Sequence, residues 1–166
     1  MGPSEMNDGA NAPASALEVV IEVPRWSFVK RGSGSAIAFV SPLPCPFNYG
    51  AVPGWLGGEG DLLDAVVLGA RLPRGARVRV LPRAAISMCD GGQVDDKLIC
   101  SAHALGRGER CAVIAFFHFY ALCKRVLNGL RGVRGRTACR GWCAVEAAFA
   151  RARALPTPAS AVDGAA

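Results

Sequence analysis

The chain has 166 residues, a formal net charge of +6 and 51% hydrophobic residues, enough for one domain with a buried core. Residues 1–16 are polar and rich in Gly, Ala and Pro, which predicts a disordered leader and not a signal peptide. The longest apolar stretch, Cys111–Cys123, is interrupted by His118 and is too short to span a bilayer, so a membrane protein is not expected.

Seven cysteines are present without a Cys-x-x-Cys pair. An odd number of cysteines without an export signal predicts reduced, mostly buried thiols, as found in a cytoplasmic protein. Cys139-x-x-x-Cys143 has the spacing of half a zinc site, but burial of small apolar side chains is the favoured interpretation.

Short strands are predicted over the first hundred residues. Leu17–Val23 ends at Pro24, and Ser27–Lys30 and Ala36–Val40 flank a Gly-Ser-Gly turn typical of a hairpin. Closely spaced prolines after residue 41 predict an irregular connection that presents Phe47-Asn48-Tyr49. The remaining predicted strands are Ala65–Leu68, Arg77–Leu81, Ala85–Met88 and Leu98–Ser101.

The apolar period changes to that of a helix after Gly108. One helix is predicted from about Arg110 to Leu130, and a second over Val145–Leu155. We therefore expect a single domain over residues 17–155, followed by a disordered tail at 156–166. Strands followed by helices favour an α+β domain, most simply a small closed β-barrel with helices packed outside.

An acidic run, Glu59-Gly60-Asp61-Leu62-Leu63-Asp64, stands directly before the predicted strand Ala65–Leu68. Carboxylates about 4–5 Å apart repel by roughly 3–4 kcal/mol per pair at an effective dielectric constant near 20, so this run favours a compensating hard cation such as Mg²⁺. A second group, Asp90 and Asp95-Asp96-Lys97, precedes the next apolar run. The alternatives are solvated turns, with a local ion pair in the second case.

Four sequence blocks stand in a characteristic order along the chain: Val19–Pro24, Pro44–Gly50, Glu59–Gly69 and Asp90–Leu98. Together they resemble the soluble, Mg²⁺-dependent inorganic pyrophosphatases of the single-barrel type. The resemblance implies a five-stranded, oligonucleotide-binding-like closed barrel with additional strands and two C-terminal helices outside. It also implies hydrolysis of inorganic diphosphate to two phosphates and a homo-oligomer, a hexamer in most bacterial members.

The resemblance also implies roles for individual residues. Asp61 is expected to accept the proton of the attacking water, and Tyr49 to support it. Two or more metal ions, Mg²⁺ with Mn²⁺ or Co²⁺ as alternatives, are expected on five carboxylates. Those metal ligands are Glu59, Asp61, Asp64, Asp90 and Asp95, and the residues expected to bind substrate are Lys30, Lys97, Tyr120 and Glu22.

The chain departs from the family pattern at several pocket positions. Glu59 stands where the family has Asp, Lys30-Arg31-Gly32 replaces Lys-Tyr-Glu, and Tyr120-Ala121 replaces Tyr-Lys. An arginine that the family places before the Asn-Tyr-Gly block is missing. Arg31 and Lys124 are candidates to replace the lost cations, although a lysine such as Lys124 often only extends along a helix surface to water.

These departures leave two alternative functions open. One is a paralogue with weak or altered activity that binds a phosphorylated ligand. The other is a barrel that binds nucleic acid, since residues 104–153 carry 10 Lys/Arg against 2 Asp/Glu, whereas residues 1–103 carry 9 against 10. The second alternative is disfavoured, because the acidic pocket repels a phosphate backbone and few aromatic residues are available for stacking.

Overall fold

The computed structural model describes residues 15–31 and 37–156, with the side chains of 29–31 and 37–43 excluded. The predicted leader and tail therefore lie almost wholly outside the described residues. The strands are β1 (Leu17–Val23), β2 (Ser27–Arg31), β3 (Ile37–Cys45), β4 (Asn48–Leu56), β5 (Leu62–Val67), β6 (Arg77–Val80), β7 (Pro82–Asp90), β8 (Gln93–Val94), β9 (Lys97–Cys100), β10 (Ala138–Cys143) and β11 (Arg153–Ala154), and the helices are α1 (Arg107–Leu130) and α2 (Val145–Arg151).

The main sheet is mixed and open, with the strand order β10-β7-β9-β5-β4-β1-β6. β8 pairs with β7 and β11 with β4, while β2 and β3 form a separate hairpin. The predicted closed barrel is wrong, because closure requires the two outer strands to pair with each other. In the described part of the chain β6 pairs only with β1, and β10, whose register shifts between Cys139 and Gly141, pairs only with β7.

Each helix covers one face of the sheet. α1 buries Val113 and Phe117 in a cluster that includes Val66 and Ile99 of the sheet. α2 buries Phe149 in a second cluster on the opposite face of the sheet. The strand residues of this cluster alternate along the chain with those that α1 covers. The prediction of two helices outside the sheet is thus confirmed, with one helix on each side.

The proline-rich segment is more regular than expected. β3 runs through Pro42 and Pro44, and within residues 15–31 and 37–156 it pairs only with β2, so its second edge can accommodate residues without an N–H group. In β4 the pairing with β5 jumps from Val52 to Leu56, which leaves Pro53 inside an irregularity. Proline position relative to the sheet edge, which the sequence does not reveal, explains the wrong prediction of an irregular connection.

The second helix is shorter than predicted. α2 ends at Arg151, because Arg153 and Ala154 pair with Leu56 and Trp55 of β4 as the short strand β11. β4, β8, β10 and β11 were not predicted from the sequence. The first helix matches its prediction to within three residues at the N-terminus and ends at Leu130 as expected.

By length and composition alone α1 is also apolar enough to cross a membrane, and 17% of its apolar window is buried. A helix that packs one face on a soluble core passes the same test. Its buried residues Val113, Phe117 and Ala121 form that face, so the contact with the sheet accounts for part of its apolar character.

The seven cysteines are all free thiols. Cys45, Cys89 and Cys100 are buried and Cys111 is exposed, while the other three are half-buried. The prediction of mostly buried thiols is wrong, since three of the seven are buried. Burial raises the pKa of Cys45 to about 11 and that of Cys100 to about 12, so both remain protonated near neutral pH.

Truncating the helix face that holds α1 on the sheet is expected to destabilise the fold. Phe117→Ala removes a fully buried ring and should lower the free energy of unfolding by about 3–5 kcal/mol in denaturant titrations. Phe119→Ala on the same helix is the matched control, since that ring is 40% exposed, and it should cost less than about 1 kcal/mol. Equal losses for the two variants would contradict the packing described here.

Candidate active site

Strand alternation gathers the charged side chains on the face of the sheet that α1 covers. Asp64 precedes Val66 by two residues, and Val66 lies in the cluster under α1. By the same period, Lys97 shares the face of Ile99, and Asp90 that of Met88. The parallel register of β5 and β9 sets Asp64 beside Lys97, so groups distant in sequence meet at the strand ends.

The Asn-Tyr-Gly block is held in place by structural contacts of its neighbours. The buried Asn48 Oδ1 accepts hydrogen bonds from the backbone N–H groups of Arg25 (3.0 Å) and Leu72 (2.9 Å). Gly50 lies so close to β1 that a Cβ atom would stand 2.2 Å from the carbonyl oxygen of Val20. These constraints fix the backbone of β4 on both sides of Tyr49 and thereby direct its ring into the site.

Lys97 lies at the centre of the site, with only 2% of its side chain exposed. Its Nζ donates hydrogen bonds to Asp64 Oδ2 and Asp95 Oδ1, and it lies 5.8 Å from the centroid of the Tyr49 ring. Tyr49 Oη also donates to Asp64 Oδ2, at 2.5 Å. Burial disfavours the charged amine, but the two carboxylates outweigh it and hold the pKa of Lys97 above its ordinary value.

Asp90, at the end of β7, is bound through both carboxylate oxygens. Oδ2 accepts a hydrogen bond from Lys124 Nζ, whereas Oδ1 accepts from Asn128 Nδ2 (2.7 Å) and Thr137 Oγ1 (3.2 Å). Burial acts to raise the pKa of Asp90, but the hydrogen bond and charge of Lys124, with those from Asn128 and Thr137, lower it overall. Asp90 is therefore an ionised and tightly oriented carboxylate.

Three carboxylates converge in a way that suits a metal ion. One oxygen each of Glu59, Asp90 and Asp95 lies within 4.8 Å of the others. Although the Glu59 side chain is exposed overall, loss of solvent around its carboxyl group and the charge of Asp95 raise its pKa to about 7, against the opposing effect of Lys97. The pKa of the buried Asp95 is raised as well, chiefly by burial and despite Lys97.

Asp61 lines a small cleft beside this triangle, together with Glu59, Asp64 and Asp95. In the described part of the chain, Lys97 binds Asp64 and Asp95, and Lys124 binds Asp90, so two lysines contact this group of five predicted metal ligands. The donors are all oxygen atoms, the ligands that hard divalent cations prefer. The residues present therefore fit Mg²⁺ or a similar ion.

The remaining predicted site residues come from β1, β2 and α1. Glu22 is half-buried in β1, and Tyr120 is half-buried on α1, where its ring lies 5.7 Å from Lys124 Nζ. The backbones of Lys30 and Arg31 belong to β2, but their side chains lie outside the described residues. Their predicted contacts with substrate stay predictions.

Asp96 does not lie in the solvated turn that was the alternative for the Asp95-Asp96-Lys97 group. Asp96 is buried, its Oδ2 accepts a hydrogen bond from Arg151 Nε at 2.6 Å, and its Oδ1 accepts from the Met88 N–H at 3.4 Å. Arg151 is 55 residues away on α2, so the pairing depends on tertiary structure and cannot be read from the local Asp-Asp-Lys sequence. Asp96 thus links the connection between β8 and β9 to α2.

Asn128 and Thr137, which both bind Asp90, were not predicted as site residues. Asn128 follows Lys124 by four residues on α1, a spacing that places both on one helix face and that offered a signal. Thr137 lies in the segment before β10, which was not predicted as a strand, and no local pattern marks it. Both residues matter through Asp90.

An oxygen-rich acidic cleft with two lysines, set at the strand ends of an open mixed sheet, has the donor atoms of a site for hard divalent cations. The comparisons with known proteins agree with this class of site. The family model for inorganic pyrophosphatase matches residues 19–114, and the chain belongs to the inorganic pyrophosphatase family.

Individual relatives point the same way. The inorganic pyrophosphatase of Gluconobacter oxydans is 34% identical over 111 residues, covering 62% of this chain and 64% of that protein. The enzyme of Xylella fastidiosa is 36% identical over 108 residues, covering 60% of each. The chain thus matches less than two thirds of these relatives' lengths. The crystal structure of the Thermus thermophilus inorganic pyrophosphatase is similar over 87% of this chain and 90% of that one, with a TM-score of 0.66 and 26% identity.

Removing the central ammonium group should destabilise the protein. Lys97→Met leaves Asp64 and Asp95 without their shared partner and should lower the free energy of unfolding by about 3–5 kcal/mol. Because the folded-state pKa of Lys97 is raised, its contribution is complete below about pH 10, so the loss should be similar from pH 6 to 9.

The matched control is Arg77→Met, which breaks an exposed ion pair with Glu18 and should cost less than about 1 kcal/mol. Chemical denaturation at several pH values in the absence of divalent ions measures both variants. A Lys97→Met protein as stable as Arg77→Met would show that the buried ion pairs do not hold the site together.

Proposed function

We propose that this protein hydrolyses inorganic diphosphate to two phosphates with the help of Mg²⁺. The observation that carries the proposal is the convergence of Glu59, Asp90 and Asp95 within 4.8 Å, beside a cleft lined by Asp61, in a member of the inorganic pyrophosphatase family. Hydrolysis of a phosphoric anhydride needs an aligned water and compensated charge far more than covalent help from the protein.

The acidic cluster is the proposed metal site. Glu59, Asp90 and Asp95 would hold one ion, and Asp61 and Asp64 complete a set of five carboxylates that suits two or more. Bound Mg²⁺ would supply positive charge against the phosphate oxygens and lower the pKa of the attacking water. Mn²⁺ and Co²⁺ are further candidates for the same oxygen ligands.

The chain's own residues supply the proton acceptor and its surroundings. Asp61 is exposed at the cleft and is the proposed general base, since a carboxylate there can take a proton from water. Tyr49 orients Asp64 through a hydrogen bond, and Lys97 keeps Asp64 and Asp95 close together. Tyr120, Lys30 and Glu22 are proposed substrate contacts. The predicted contact of Lys97 with substrate is not retained in this proposal, because Lys97 is 2% exposed and is bound by two carboxylates.

A second candidate is a paralogue that binds a phosphorylated ligand but hydrolyses it slowly or not at all. The observation that favours it is the position of Lys97, which is enclosed by two carboxylates and buried, so that it faces protein groups instead of an incoming phosphate. Three departures from the family pattern also favour this second candidate: Glu59 replaces Asp, Gly32 replaces Glu and Ala121 replaces Lys. Mg²⁺-dependent binding of diphosphate without phosphate release would select this candidate.

Cytoplasmic location and self-association belong to the same proposal. Free cysteines support a reducing compartment. Exposed apolar side chains at spacings of three and four residues along α1, namely Phe119, Leu122, Val126 and Leu130, support a contact between subunits, with the hexamer as the expected assembly. Nucleic acid is not proposed as a partner.

The proposed activity is tested by phosphate release from inorganic diphosphate in the presence of Mg²⁺. We expect hydrolysis by the wild type, its loss on addition of a chelator, and a decrease in kcat of at least about 100-fold in Asp61→Asn, because general bases contribute about 10²–10⁴-fold. Glu18→Gln, which alters an exposed carboxylate paired with Arg77, should retain full activity and serves as the control.

Equal rates for wild type and Asp61→Asn would remove Asp61 from the mechanism while leaving the reaction intact. No phosphate release under any concentration of Mg²⁺, Mn²⁺ or Co²⁺ would instead refute the proposed reaction. Equilibrium binding of diphosphate in the same samples then separates the second candidate from a protein without a working pocket.

A further inference from the structure

Lys124 occupies a position that the family-matched region does not include. It lies on α1, beyond the match at residues 19–114, and shares a helix face with Tyr120 and Asn128 at spacings of four residues. Its Nζ binds Asp90 Oδ2 and lies 5.7 Å from the centroid of the Tyr120 ring. The helix therefore carries a cation to the acidic cluster of the sheet.

The carboxylate that Lys124 binds is also one of the three that converge as a candidate metal site. The other oxygen of Asp90 is occupied by hydrogen bonds from Asn128 and Thr137, so Lys124 holds the oxygen that these two leave available. A divalent ion held by Glu59, Asp90 and Asp95 would lie close to the ammonium group, and like charges at this range repel strongly. Lys124 and the ion therefore compete for Asp90.

The two lysines of the site differ in their freedom to move. Lys97 is 2% exposed and is held by two carboxylates, whereas the Lys124 side chain is 22% exposed and is held by one. The Lys124 side chain is long and flexible and extends from the surface of α1, so it can turn away from Asp90 toward solvent. Of these two lysines, Lys124 is the one available to an anion.

We propose that Lys124 is a built-in counter-ion of the acidic cluster, which competes with the divalent cation for Asp90 and, when displaced, binds a phosphate group of the substrate. This inference rests on the proposed metal-dependent diphosphate site. It makes two separate statements about the wild type: Lys124 weakens metal binding in the absence of substrate, and it strengthens diphosphate binding once the metal is bound. Asn128 and Thr137 keep Asp90 oriented in both states.

The experiment measures binding and not turnover. Isothermal titration calorimetry with Mn²⁺ alone gives the metal affinity of wild type, Lys124→Met and Lys124→Gln. Titration with methylene diphosphonate at saturating Mn²⁺ gives the affinity for an analogue of diphosphate that cannot be hydrolysed. Both variants should bind Mn²⁺ about tenfold or more tightly than wild type and the diphosphonate about tenfold or more weakly.

Arg125→Met is the matched control, because it removes an equal charge from the adjacent, exposed position of α1. Both of its affinities should stay within about twofold of wild type. Circular dichroism and thermal unfolding verify that each variant is folded, and the two substitutions at position 124 allow the test to proceed if one of them fails to fold.

The outcomes separate the inference from the proposal on which it rests. Wild type that binds Mn²⁺, with unchanged or weaker Mn²⁺ binding in both Lys124 variants, overturns the competition and leaves the metal site intact. Unchanged diphosphonate affinity overturns the role of Lys124 toward substrate. Wild type that binds neither Mn²⁺ nor diphosphonate contradicts the proposed function and this inference together.

Discussion

The buried contact of Lys97 with Asp64 and Asp95 is the interaction on which the rest of the site depends. β5 and β9 run parallel in a register that sets Asp64 beside Lys97, and Asp95 stands two residues before that lysine. The half-buried Asp64 and the buried Asp95 would repel each other in this position without a shared cation. The ammonium group therefore permits an acidic wall to form inside a folded protein, and the apolar clusters on both faces of the sheet keep it there.

A second ion pair extends this arrangement to the helix. Lys124 binds Asp90 as Lys97 binds Asp64 and Asp95, but it comes from α1 and remains partly exposed. The site thus contains a buried ion-pair cluster within the sheet and a partly exposed ion pair where α1 meets the sheet. Glu59 and Asp61, exposed at the rim, lie where added cations and substrate can reach them.

Much of this molecule could be predicted from local patterns. The strand Leu17–Val23 and the helix ending at Leu130 follow directly from apolar periodicity, and the predicted strand Leu98–Ser101 differs from β9 by one residue at each end. The acidic runs identified the carboxylates that line the cleft. The open edge of the sheet was not predictable, because closure depends on whether distant strands pair. The Asp96–Arg151 ion pair and the Thr137 hydrogen bond were missed for the same reason, since each joins residues more than 40 positions apart.

The central claim is that the acidic cluster holds divalent cations next to a diphosphate. It is tested most directly by anomalous diffraction from crystals grown with Mn²⁺ and methylene diphosphonate. We expect manganese to be coordinated by Glu59, Asp90 and Asp95, with the diphosphonate beside Asp61. Crystals of the same composition with Lys124 still on Asp90 and manganese absent from this cluster, or bound elsewhere on the protein, would contradict it.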